Sequence, residues 1–155
     1  MANPMSSGQY LPAPGEGKRG EDGYLGYLLR QAAGASRLRL ERALADIGVT
    51  APQFLVLTMI KAYPKASGAD LARITQLTPQ TVSVIIANLR KTGALVSRKH
   101  AVHGRIVELD LSDHGEELLA QARQRAHGLE AEMAAGLTAE EAQVVRRWLA
   151  GLARV

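Results

Sequence analysis

From Tyr24 onward, apolar residues return every three or four positions. Leu25, Leu28, Leu29, Ala32, Ala35, Ser36, Leu40, Ala43, Leu44 and Ile47 form one stripe, which predicts an amphipathic helix to about Asp46, with Gly48 as its stop. Thr50-Ala51-Pro52-Gln53 has the form of a capping box with Pro early in the first turn. The helix it opens carries Phe54 to Tyr63, and Pro64 ends it. Ser67 caps a short helix to about Ile74, and a turn is expected over 75–77. Thr78-Pro79 then pairs an N-cap with a first-turn Pro, opening a helix to about Thr92, where Gly93 supplies a left-handed stop. Next the period changes to two. Val107, Leu109 and Leu111 alternate with Ile106, Glu108 and Asp110, a half-buried strand, and the run over 95–99 can pair with it around a hairpin tip at 101–104. Ser112 caps a long helix with Leu118, Leu119, Ala122, Ala126, Leu129 and Met133 on one stripe. Thr138-Ala139-Glu140-Glu141 caps a last helix carrying Val145, Trp148, Leu149 and Leu152.

The fold class is therefore mainly α with a small two-stranded β-wing. Residues 1–22 are rich in Pro, Gly, Ser and mixed charge, lack apolar periodicity, and are expected to form a flexible tail. The remainder, 23–155, reads as a single domain, and the chain as a whole, with 46% hydrophobic residues, has ordinary globular composition.

Charge sharpens this picture. The net charge is +4, yet residues 67–105 alone hold Arg73, Arg90, Lys91, Arg98, Lys99 and Arg105 against the single acid Asp70. A local basic patch of this kind is the electrostatic footprint of a phosphate binder. It falls on the sequence short helix, tight turn, amphipathic helix, basic ribbon, which is the order of a winged helix-turn-helix. In the second of these helices Val82, Ile85, Ile86 and Leu89 make the inward stripe, at offsets of 0, 3, 4 and 7. Gln80, Val84, Ala87 and Lys91 point the opposite way, with Thr81 and Asn88 on one flank and Ser83 and Arg90 on the other.

A small, polar or basic outward face is what entry into the major groove requires. Gln80 can read adenine bidentately, Thr81 and Ser83 can bond bases or phosphates, and Val84 can pack on a thymine methyl. Asn88 lies on the same exposed side. Arg90 and Lys91, near the helix end, are placed to neutralise phosphate, and the free N–H groups beyond Thr78 can hold another. In the ribbon, Arg98 and Lys99 precede the tip and Arg105 follows it, and an Arg beside Gly104 suits the strong negative potential of a narrow minor groove.

The residues Gly48-Val49-Thr50-Ala51-Pro52-Gln53-Phe54, Asp70-Leu71-Ala72, Thr81-Val82-Ser83, Leu89-Arg90-Lys91-Thr92-Gly93-Ala94-Leu95-Val96, Arg105 and Leu111-Ser112-Asp113-His114-Gly115 make the chain from Tyr24 to its end resemble the MarR (multiple-antibiotic-resistance regulator) family of transcription factors. The resemblance implies an obligate homodimer whose first and last helices (about 23–48 and 113–155) interlock, a palindromic double-stranded DNA operator, and release of DNA on binding a small effector. Two positions depart from the family pattern. Val84 stands where an Arg often follows the Ser of the recognition helix, and His103 stands where an Asp often braces the wing Arg.

The dimer also follows from the unpartnered apolar stripes of the first and last helices. An effector works only by binding the DNA-incompetent state better. Tyr27, Arg30, Arg37 and Tyr63 are the aromatic and cationic candidates for its site, suited to an aromatic carboxylate, a phenolic compound or an acyl-CoA thioester.

Other chemistries are disfavoured. There is no Cys, so disulfides, zinc–thiolate sites and thiol redox sensing are excluded. His100, His103, His114 and His127 lack a converging ligand set, so no metal and no cofactor are expected. No nucleophile elbow, phosphate-cradling Gly loop or catalytic pairing is present, which argues against an enzyme. The longest apolar run, 54–60, is too short to span a bilayer and no signal pattern begins the chain, so a cytoplasmic protein without membrane contact is expected. The competing reading is a winged-helix protein-interaction module without specific DNA binding.

Overall fold

The helices begin where a side-chain oxygen can take the free N–H groups of a first turn. The computed structural model describes residues 11–99 and 107–154. Its elements run α1 (Leu25–Leu44), α2 (Ala51–Ala62), α3 (Gly68–Thr75), α4 (Pro79–Lys91), β1 (Leu95–Lys99), β2 (Val107–Leu111), α5 (Asp113–Ala134) and α6 (Ala139–Leu152), with 3-10 turns at Gly17–Arg19 and Ala45–Ile47. Thr50, Ser67, Thr78, Ser112 and Thr138 cap α2 to α6, each accepting from the backbone N–H three residues on. At Thr50, Ser67 and Thr138 the third residue returns a side-chain bond, completing a capping box. Each such cap contributes about 1 kcal/mol.

The chain divides into two compact units, Met1–Leu38 and Arg39–Val155. In the first, the second half of the expected tail is folded on itself. Arg19 donates to the Pro12 carbonyl at 2.9 Å, and the Glu16 carboxylate accepts from the Ala13 N–H at 3.0 Å. The first ten residues of the expected tail lie outside the described residues. α1 follows, with Leu25 and Leu38 exposed.

In the second unit, one core joins α2 (Val56, Leu57, Ile60), α3 (Leu71), α4 (Val82, Ile85, Leu89), the base of the ribbon (Leu95, Leu111) and α5 (Leu119). Burial of each of these side chains contributes roughly 1.5–3 kcal/mol. A smaller cluster packs Leu44 and Val49 on Ala122 of α5, with Phe54 and Leu118 bridging to the main core. Ion pairs fasten α5 at two further points, Lys61 to Glu116 and Arg125 to Asp46.

Two turns position the functional elements. Thr75, expected in a turn, instead closes α3, because its buried hydroxyl donates back to the Leu71 carbonyl at 2.6 Å. Gln76 then takes the left-handed conformation (φ 56°) that ends α3, and its N–H bonds the Arg73 carbonyl. At the other end of α4, Gly93 (φ 76°) turns the chain into β1, as its position predicted. There Ser112 donates to the Gly93 carbonyl at 2.5 Å, and its N–H bonds the Ala94 carbonyl at 3.0 Å. β1 and β2 pair antiparallel with Leu95 opposite Leu111, Ser97 opposite Leu109 and Lys99 opposite Val107.

Candidate nucleic-acid interface

α4 owes its orientation to its buried stripe. Val82, Ile85 and Leu89 face the core, with Ile86 partly buried beside them, which leaves the opposite side in water. Thr78, Gln80, Thr81, Ser83, Val84, Asn88, Arg90 and Lys91 are all exposed, and Val84, a large apolar residue, is 55% exposed. The structure therefore brings every α4 candidate named from the sequence onto one solvent-facing surface.

Local bonds hold some of these side chains in place. The Thr78 hydroxyl caps α4 and lies 2.8 Å from the Thr81 hydroxyl. Ser83 donates to the Pro79 carbonyl at 2.9 Å, a bond between turns of the helix that leaves its lone pairs outward. Arg90 donates to the Ser97 hydroxyl of β1 at 2.8 Å, so its guanidinium lies against the ribbon. The pattern of the sequence had placed Arg90 only as a phosphate contact, and the Ser97 contact carries no signal in local spacing.

α3 sits ahead of α4 in the order of a helix-turn-helix. Ser67 and Arg73 both bond Asp70, Ser67 through its hydroxyl at 2.7 Å and Arg73 through its guanidinium at 3.0 Å. The hydrogen bonds from the Ser67 side chain and backbone, with the nearby Arg73 charge, hold the Asp70 carboxyl below its usual range. Arg73 is thus a positive group held in place on the exposed side of α3.

In the ribbon, β1 spans Leu95–Lys99 and β2 spans Val107–Leu111, on the two stretches read as paired strands, and the expected hairpin tip at 101–104 and Ile106 lie outside the described residues. The backbones of Arg98 and Lys99 belong to β1. Arg105, His100 and His103 lie outside the described residues.

The effector candidates fall as follows. Tyr63 is exposed and lines an open cavity of about 510 Å³ with Pro64, Lys65, Arg73 and Ile74. Tyr27 lines a cavity of about 330 Å³ with Lys18 and Tyr24. Arg30 and Arg37 are exposed on α1. Among the described residues no group of three or more His, Asp and Glu could hold a metal ion.

Comparison with known proteins gives this geometry a family. Residues 47–106 match the model of the MarR family. The HTH-type transcriptional repressor Rv2887 of Mycobacterium tuberculosis is 31% identical over 129 residues, which cover 83% of this chain and 93% of that one. The crystal structure of Rv2887 with salicylic acid superposes with a TM-score of 0.70 at 31% identity, covering 85% of this chain and 98% of the other. Its complex with DNA superposes with a TM-score of 0.68 at 30% identity, covering 84% and 98%. The winged helix-turn-helix, the exposed polar face of α4 and the similarity over most of both chains agree: this chain belongs to the MarR family, whose members are DNA-binding transcriptional regulators rather than enzymes.

Proposed function

We propose that the protein is a homodimeric repressor that binds a palindromic operator and leaves it when a small aromatic carboxylate binds. The observation that carries this reading is the outward face of α4, where small, polar and basic residues replace the apolar ones that face the core. On this reading Gln80, Thr81, Ser83, Val84 and Asn88 face base edges, while Thr78 and Lys91 contact phosphate. Arg98, Lys99 and Arg105 serve the flanking minor groove and backbone. The DNA complex of the M. tuberculosis relative supports this use of the fold.

Self-association is supported by α6. No residue of this helix is buried, yet Val145, Trp148, Leu149 and Leu152 make an apolar stripe at helical spacing, and each is at least 40% exposed. A stripe of that kind needs a partner surface. A second copy of the chain supplies one, and its two-fold axis accounts for an operator of two half-sites about 34–36 Å apart. The salicylic acid complex of the relative favours an aromatic carboxylate as effector. Tyr27, Arg30 and Arg37 in the first unit, and Tyr63 with Arg73 about its cavity in the second, each offer ring faces or cations, the two chemistries such a ligand needs. A regulator of this kind works in the cytoplasm, where its DNA is.

Fluorescence anisotropy with duplexes from the upstream region of the protein's own gene, across a salt series and with salicylate added, tests the reading. Nanomolar, salt-sensitive binding that salicylate or a related acid weakens is the expected result. Binding that ignores sequence and salt would instead favour a protein-contact role for the winged helix.

A further inference from the structure

α4 and the ribbon are joined by a side-chain contact outside the apolar core. Arg90, in the last turn of α4, donates from Nη2 to Ser97 Oγ at 2.8 Å. We propose that Arg90 and Ser97 form a brace that fixes the angle of the wing to α4, making Arg90 a positioning residue for DNA reading rather than primarily a phosphate contact. This rests on the DNA-binding reading above.

The ribbon needs such a brace. It has two strands of five residues each, and a lone two-stranded ribbon is marginally stable in water. Its apolar anchor is at the base, where Leu95 and Leu111 pair directly and are each 4% exposed. Ser97 is two residues farther out, on the same face of β1 as Leu95, and is itself exposed. Leu109, opposite Ser97 on β2, packs against the core while only partly buried, so the contact holds the ribbon to α4 where core packing thins out.

Leverage makes the angle matter. Lys99 is four residues from Leu95, roughly 13 Å along an extended strand. A tilt of ~10° about the base displaces the backbone there by ~2 Å, enough to break an N–H···O contact to DNA. The chemistry fits the task. The Arg side chain spans the gap between helix and strand, and its planar guanidinium spends one of five N–H donors on Ser97. Arg90 also lies on the flank of α4 that carries Ser83, so the brace leaves the Gln80–Val84 face clear for the groove.

The test uses the full-length protein as wild type, Ser97→Ala, Arg90→Gln, the double variant and Ser97→Thr. Two readouts are taken: affinity for the upstream duplex across a salt series, and amide hydrogen exchange of β1 and β2 without DNA. Each single change to Ala or Gln is expected to weaken binding about three- to tenfold, the size of one hydrogen bond. The double variant is expected to bind no more weakly than the weaker single variant, since both changes remove the same contact. Ser97→Thr keeps the hydroxyl and is expected to bind like the wild type. Exchange in β1 and β2 is expected to accelerate in Ser97→Ala and Arg90→Gln, to stay at the wild-type rate in Ser97→Thr, and to be unchanged in α2 and α5 throughout. Wild-type affinity in Ser97→Ala, with Arg90→Gln weakened and its salt slope reduced by about one, overturns the brace and returns Arg90 to phosphate. Unchanged exchange in the ribbon overturns it equally. If the wild type itself binds no DNA, the functional reading fails, and the exchange rates alone decide the brace.

Discussion

Gly115 gives the fold a test with an unusual sign. It lies in the first turn of α5, where Ala is ordinarily the better residue by about 1 kcal/mol. A Cβ at Gly115 would stand 2.0 Å from the Ala94 carbonyl oxygen and 3.0 Å from its carbon. Both atoms are backbone, so no side chain can swing aside. Relief requires α5 and the α4–β1 turn to part by more than ~1 Å, which strains the Ser112 N–H bond to Ala94 and loosens the buried Leu95–Leu111 pair. Overpacking costs about 1–3 kcal/mol and the strained hydrogen bond about 1 kcal/mol, against about 1 kcal/mol gained in helix propensity. The net expectation for Gly115→Ala is a loss of about 1–3 kcal/mol, which lowers Tm by roughly 2–12 °C in a chain of this size.

Gly128, on the same helix with nothing within 4 Å of an added methyl, is the control. Its change to Ala is expected to raise stability by about 0.5–1 kcal/mol. Urea titration of both variants at fixed protein concentration measures the difference. Equal or greater stability in Gly115→Ala would show that the joint between α5 and the wing is not close-packed as described.

Other positions give further expectations. The Arg125 guanidinium bonds Asp46 through both carboxylate oxygens, at 3.0 and 2.5 Å, and this holds the Asp46 carboxyl below its usual range. A depressed carboxyl contributes stability above its ordinary pKa of about 4 and loses it as pH falls through the folded value, so the acid limb of a Tm-versus-pH curve should be shallower in Asp46→Asn. The limb should not vanish, because Asp70 and Glu141 are depressed by their own hydrogen bonds, with Ser67 and with the Thr138 backbone. An unchanged curve contradicts the ion pair. Gln76→Gly removes a left-handed non-glycine residue from the turn between α3 and α4, and should stabilise by about 0.5–1 kcal/mol in thermal unfolding, the relief of the left-handed backbone partly offset by chain entropy. Gln80→Ala should relax discrimination at one base position in each half-site, at about 1–3 kcal/mol, in a randomised-site selection; an unchanged preference removes Gln80 from base reading.

What the sequence disclosed follows from the range of the interactions. Caps are local, with donor and acceptor three residues apart, and all five helix starts after α1 were legible as Ser or Thr followed by a compatible first turn. The inward stripe of α4 and the alternation of β2 depend only on period, so the outward face of the candidate site was legible too. Gln76 was hidden because the left-handed position in such a turn is usually marked by Gly or Asn, and this chain fills it with a residue that carries no such mark. Gly115 could be read only as part of a family resemblance, since its reason is the Ala94 carbonyl 21 positions earlier.

The contacts that escaped the sequence share a physical character. The Arg125–Asp46 pair joins residues 79 positions apart, and the Ser112–Gly93 bond joins residues 19 apart. Even Arg90 and Ser97, only seven apart, meet because Gly93 reverses the chain between them. Such latches depend on how finished elements pack, so no period or cap announces them. They also lie where the task of a regulator requires rigidity. Ser112 and Gly115 fasten the start of α5 to the turn that carries the wing, and Arg90 fastens the wing to α4. A displacement of α5 therefore reaches the turn between α4 and the ribbon through the Ser112 bonds to Gly93 and Ala94 and the close approach of Gly115 to the Ala94 carbonyl. Softening the joint at Gly115 should accordingly weaken DNA binding by more than its stability loss alone accounts for. Affinity measured well below the unfolding temperature separates the two effects, and an affinity equal to the wild type's in a folded Gly115→Ala protein would disconnect the joint from DNA reading.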